Sequence, residues 1–133
     1  MEPARRFEDL VVWQEAHALV LGIYRVTRQL PADEKFGLVT QVRRAAVSVP
    51  ANIAEGFRRR GRAEKARFLN MAQASLDEVV YFLILMADLD YADTEQLRVA
   101  SEKVGRLLGA YVRGVTSHAA ATRSPLPAPR SHP

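Results

Sequence analysis

The chain, 133 residues long, predicts an all-α fold: an antiparallel, up-down-up-down four-helix bundle. Apolar residues recur at helical spacing in four long stretches. Only short turn signals separate these stretches, which in a bundle makes successive helices antiparallel. No strand alternation and no repeat of solenoid period is visible in the sequence.

The first helix is expected from Glu8 to Leu30. Trp13, Ala16, Val20, Ile23 and Leu30 form its stripe, widened by Leu10, Leu19 and Val26. Pro31 ends it, since a proline disfavours helix at the residue before it. Asp33 is a suitable N-cap for the second helix, Glu34 to Phe57, with Phe36 entering the core soon after. Val39, Val42, Ala46, Val49, Ile53 and Phe57 mark its apolar face. Pro50 removes one backbone bond and presses on the Ala46 carbonyl, which predicts a kink. A rival reading makes Ser48 the N-cap of a separate short helix. The third helix, Ala63 to Leu89, has a broad stripe of Phe68, Leu69, Ala72, Leu76, Val79, Phe82, Leu83 and Met86. Asp93 or Thr94 caps the fourth, whose stripe is Leu97, Val104, Leu107, Leu108, Tyr111 and Val115. Gly105 and Gly109, four apart, permit a close helix contact or are simply tolerated. Residues 1–7 read as an N-terminal arm, 8–118 as the bundle and 119–133 as a disordered tail rich in proline and alanine.

Composition excludes several chemistries. There is no cysteine, so disulfides, thiolate metal sites and thiol catalysis are ruled out. That fits a reducing cytoplasm, the expected location. The N-terminus has no apolar signal region, and the longest apolar run, Val79 to Ala87, is too short to cross a bilayer. Of the histidines, His17 lacks the second histidine of a zinc helix. No serine sits in a nucleophile elbow. No Glu-x-x-His motif supports a di-iron centre. The run Gly56 to Arg62 resembles a phosphate loop only superficially: Arg62 and Ala63 replace the lysine and hydroxyl, and a helix precedes it. No enzyme, metal or cofactor is expected.

Two polar features remain. Net charge is +4, but residues 58–67 alone carry six basic side chains and one acidic one. The positive field is therefore local to the junction of the second and third helices. Arg58, Arg59, Arg60, Arg62, Lys65 and Arg67, with Arg43 in addition, are the candidate contacts to phosphate; a solvated basic turn is the plainer alternative. Gln41, Arg44, Ser48, Asn52 and Glu55, spaced three or four apart, share one face of the second helix. This row is either a wet face or a hydrogen-bonded seam against another helix or subunit. Arg44 offers a planar fork to a carboxylate such as Glu78 or Glu55, and the roughly 16 Å between Arg44 and Glu55 along one helix requires that any pair they form join two molecules.

The segment Gln41-Val-Arg-Arg-Ala-Ala-Val-Ser-Val-Pro-Ala-Asn-Ile-Ala-Glu-Gly56 resembles the bacterial 23S rRNA-intervening-sequence proteins. Phe7-Glu-Asp-Leu10 with Trp13, Tyr24, Pro31, Glu34-Lys35 and Phe68-Leu69-Asn70 with Ala72, Ser75 and Glu78 support the resemblance, which extends from Phe7 to about His118. Ala74 departs from it, standing where the family usually has glycine. The resemblance implies a bundle that assembles into a ring, commonly a homopentamer, and kinship with the accessory protein of diversity-generating retroelements, which binds a reverse transcriptase and nucleic acid. In a ring each subunit presents two different faces, so the polar row then leans toward a subunit seam comprising Gln41, Arg44, Ser48, Asn52, Glu55 and Glu78. The expected partners are further copies of the chain, RNA or DNA, and a reverse transcriptase. The alternative expectation is a protein-interaction scaffold, with the same arginines meeting an acidic partner surface.

Overall fold

The structure, a computed structural model, describes residues 3–123. It is all-α: helices α1 (Val11–Thr27), α2 (Leu38–Arg58), α3 (Arg62–Asp88) and α4 (Glu95–Arg123) pack antiparallel as an up-down bundle. Each packs on its chain neighbour, and α1 also packs on α4, closing the bundle. The boundary expected at residue 118 falls inside α4, which continues through the first residues of the tail expected at 119–133; the rest of that tail, 124–133, lies outside the described residues.

One core runs the length of the bundle. Ala16 and Ile23 of α1, Val42, Val49 and Ile53 of α2, Ala72, Val79, Leu83 and Met86 of α3, and Val104 and Leu108 of α4 are wholly buried. Burying each of the larger of these side chains is worth about 1.5–3 kcal/mol relative to exposure. The helix α3 is long and apolar enough to cross a membrane by length and composition. Here it is the core helix, with α2 and α4 packed against it.

Several helix boundaries differ from expectation. Residues Phe7–Asp9 form a 3-10 turn rather than the first turn of α1, because Leu10 adopts an extended conformation. Asp33 lies in a second 3-10 turn, Ala32–Glu34, and does not cap α2. Gly37 is the N-cap residue, and Glu34 accepts the Leu38 N–H at 3.3 Å. Phe36, expected in the core, is 88% exposed, because the start of α2 at Leu38 leaves it on the connecting turn. Pro50 lies inside an unbroken α2, so the reading of two separate helices fails. The Ala46 carbonyl loses its usual donor, while Asn52 Nδ2 bonds the Ser48 carbonyl and hydroxyl, each at 2.8 Å. Ser48 in turn meets Ser75 Oγ of α3 at 2.8 Å.

At the start of α4, Asp93 accepts the Glu95 N–H at 3.1 Å, whereas buried Thr94 donates to the Leu83 carbonyl at 2.9 Å. The close-approach glycine is neither Gly105 nor Gly109. A Cβ on Gly105 would meet Leu76 at an ordinary 3.6 Å, and one on Gly109 would face only the Arg113 side chain. A Cβ on Gly22 would stand 2.7 Å from Leu97 Cδ2, so this glycine lets α1 approach α4.

Candidate nucleic-acid interface

The up-down order places the start of α1, the end of α2 and the start of α3 at one end of the bundle. The basic junction expected from the sequence lies at this end. Arg5 and Arg6, not among the expected contacts, are brought by the short turn before α1 beside Arg58 in a shared cleft. The dipeptide and the antiparallel order together were the signal that could have found them. Asp9 fixes this segment by accepting the backbone N–H of Arg5 at 3.1 Å and of Arg6 at 3.2 Å. Those two bonds hold the Asp9 carboxyl below the ordinary carboxylate value. Gln14 Nε2 adds a bond to the Glu8 carbonyl at 2.8 Å.

The seven candidate phosphate contacts do not behave alike. Arg58 and Arg60 are exposed, and neither belongs to an ion pair among the described residues. Arg59 pairs with Glu55 at 2.9 Å and lies 4.7 Å from the Phe68 ring centroid. Arg67 pairs with Glu64 at 3.2 Å and lies 4.5 Å from the same ring. These pairs are exposed, so their side chains can exchange partners at little cost. The hydrogen bond from Arg67, followed by its charge, draws the Glu64 carboxyl below its usual value. Arg62 is half-buried, and its Nε is the only buried side-chain nitrogen or oxygen without a partner among the described residues.

Lys65 and Arg43 are engaged within the fold. Lys65 Nζ donates to the carbonyls of Gly56 at 3.1 Å and Phe57 at 2.9 Å, placing a cation on the negative end of α2. Partial burial lowers its pKa. Arg43 is turned away from the basic end. Its Nε donates to Thr27 Oγ1 at 2.9 Å and its Nη2 to the Tyr24 carbonyl at 3.3 Å, with the guanidinium 4.4 Å from the Tyr24 ring centroid. In the fold Arg43 thus serves as a tie between α2 and α1.

The polar row of α2 also divides. Ser48 and Asn52 are half-buried and bonded within the chain, as a seam between α2 and α3. Gln41 and Arg44 stay exposed and line a groove of about 580 Å³ with Phe36, Ser75 and Glu78. Arg44 and Glu78 share this groove without forming an ion pair. Glu55, also exposed, is taken by Arg59. Ala74 is exposed, so its methyl group crowds no helix contact within the chain.

The model of the 23S rRNA-intervening sequence protein family matches residues 8–110. The chain belongs to that family. It is also similar to the crystal structure of a protein of unknown function from the S23 ribosomal protein family of Bacteroides thetaiotaomicron VPI-5482. The two share 26% identity over 77% of this chain and 96% of the other, with a TM-score of 0.70. No curated protein matches the chain. Membership of the 23S rRNA-intervening sequence protein family thus establishes the helical bundle, in a family of unknown function.

The opposite end of the bundle has the reverse charge. The connection between α1 and α2, the turn between α3 and α4 and the helix ends that border them hold Asp33, Glu34, Asp88, Asp90, Asp93 and Glu95, against Arg25, Arg28 and Lys35. Among the described residues, no three histidine or carboxylate side chains converge in a way that could hold a metal ion. His17 is exposed and stacks on Trp13, with centroids 5.1 Å apart and rings 12° from parallel.

Proposed function

We propose that this protein is a non-enzymatic, ring-forming helical bundle, a pentamer by its resemblance, that binds nucleic acid through the basic end where α2 meets α3. The observation that carries this reading is the gathering of Arg5, Arg6, Arg58, Arg60 and Arg62 at one end of the bundle, from segments distant in sequence. Arg59 and Arg67 stand beside them in exposed, exchangeable ion pairs. Such a patch contacts phosphates and positions a polyanion without reading its bases. Repetition around a ring axis multiplies the local field. The exposed groove of Gln41, Arg44 and Glu78, flanked by Phe36, is the face proposed to meet the next subunit. Such a head-to-tail contact generates a ring when the rotation closes.

The test is binding to a structured RNA and to duplex DNA across a salt series, comparing wild type with Arg58, Arg59 and Arg60 all changed to Ala. For every phosphate that the variant no longer neutralises, the log–log salt slope for duplex DNA should become shallower by about 0.9. Failure of the wild-type protein to bind either nucleic acid at about 50 mM salt, where the attraction to phosphate is strong, would overturn the reading.

A further inference from the structure

We propose that the cleft between the N-terminal segment and the last turns of α2 receives an unpaired nucleotide, its base against Phe7 and Phe57 and its phosphates against Arg5, Arg6 and Arg58. This deepens the nucleic-acid reading and rests on it. The cleft is about 530 Å³, within the range of roughly 300–1,000 Å³ typical of small-ligand sites. Its surface combines two chemistries. Phe7 and Phe57, both half-buried, join Ala51 and Ala54 in a largely apolar wall. Arg5, Arg6 and Arg58, all exposed, supply the cations.

Charge complementarity narrows the occupant. Glu8 and Glu55 also border the cleft, and Glu55 is paired with Arg59. A site for bare phosphate would gain nothing from two carboxylates and an apolar wall. A nucleotide divides in the same way as the cleft, into an uncharged planar base and an anionic phosphate. Stacking on an aromatic ring is tolerant of sequence because every base has a π-face, and arginines beside such a ring follow the backbone. A base inside a duplex is stacked and paired, so its face is unavailable to a side chain. The cleft therefore favours single strands, loops or frayed ends.

The segment that forms one wall is held in place by bonds already described. Asp9 fixes the backbone of Arg5 and Arg6, and Gln14 anchors Glu8. The ring of Phe7 packs on Trp13, with centroids 5.1 Å apart. Both walls are therefore formed in the protein alone, which lowers the ordering cost of binding.

The experiment uses the full chain, an oligothymidylate of about a dozen nucleotides and a duplex of similar length, at fixed low salt. Phe57→Leu and Phe7→Leu keep apolar bulk and remove the ring. The expected loss of oligothymidylate affinity is about 5-fold to 100-fold, the range of base–aromatic stacking, with duplex affinity unchanged within about twofold. Photocrosslinking of wild-type protein to an iodouracil-substituted oligonucleotide should label Phe7 or Phe57, and it decides the matter if either variant fails to fold. Crosslinks confined to other segments would overturn the inference, as would displacement of the oligonucleotide by polyglutamate as readily as by free oligothymidylate. If the leucine variants bind like wild type while the triple arginine variant binds neither ligand, the cleft inference falls and the basic-end reading stands. If wild type binds neither ligand, both fall.

Discussion

Tyr91 donates its phenolic hydrogen to Glu34 Oε2 at 2.8 Å, joining the turn after α3 to the connection between α1 and α2. Fifty-seven residues separate the two in sequence. The turn is shaped for this contact. Asp90 adopts φ of 59°, and the Tyr91 N–H reaches back to the Met86 carbonyl at 2.9 Å. Glu34 uses its other oxygen to accept the Leu38 N–H, so one carboxylate both starts α2 and holds the far turn.

That bond predicts a titration. The hydrogen bond to Glu34 holds the Tyr91 phenol above its ordinary value of 10.0. A group whose pKa is raised by folding adds stability below its unfolded value, and this is lost as pH rises through the folded value. Glu34→Gln should bring Tyr91 back toward 10 and leave Tyr111, which is raised by burial, where it is. Ultraviolet difference absorbance of the phenolates reads both. Identical curves for wild type and variant would mean the bond is absent in solution.

Arg43→Ala should destabilise the fold without touching nucleic-acid binding. The guanidinium bonds Thr27, which is 2% exposed, and the Tyr24 carbonyl. Charged hydrogen bonds of this kind are worth about 1.5–3 kcal/mol, so urea unfolding should shift by about that amount. Lysine should rescue only in part, because a point ammonium cannot reproduce the planar fork. A flatter salt slope for nucleic acid in this variant would return Arg43 to the interface.

The fold was legible in the sequence because periodicity reports burial directly. Of the stripe expected on α3, Leu69, Ala72, Leu76, Val79, Phe82, Leu83 and Met86 are the observed core, whereas Phe68 is only half-buried, with Arg59 and Arg67 against its ring. The stripe of α4 was read too broadly: Leu97, Leu107, Tyr111 and Val115 are half-buried, as befits a helix packed chiefly against α1 and α3. Buried Ser101 was invisible because its hydroxyl bonds the Leu97 carbonyl of its own helix, which lets a polar residue sit in the core. The basic junction was legible as a run of charge. The roles of Lys65 and Arg43 were not, because charge alone does not reveal which cations meet a carbonyl or a ring. Arg5 and Arg6 required topology as well as sequence.

The glycines offer a paired test. Gly105→Ala has ordinary contact distances and should be neutral or gain up to about 1 kcal/mol from helix propensity. Gly22→Ala would bring a methyl group within 2.7 Å of Leu97 and should cost about 1–3 kcal/mol despite the same gain. Thermal unfolding of the two proteins side by side checks this. Equal midpoints would show that α1 and α4 yield to the added group.

Phe36 separates assembly from folding. At 88% exposed it contributes little within the subunit, so Phe36→Ser should leave the unfolding midpoint within experimental error when wild type and variant are both dilute enough to be monomeric. If the groove it flanks meets the next subunit, light scattering of the variant should give a smaller mass at a concentration where wild type is assembled. An unchanged mass would direct attention to another face.

The opposed charges of the two ends make the molecule an electric dipole along the bundle axis. Near a polyanion, the arginine-rich end is drawn in while the end holding Asp88, Asp90 and Asp93 is pushed away. The pair of forces is a torque, and it acts once the ends come within about 8 Å, the screening length at physiological salt. The protein is thus turned before it touches, and its first collision favours the end that carries the cleft. Raising salt should therefore slow productive encounter as well as weaken the complex.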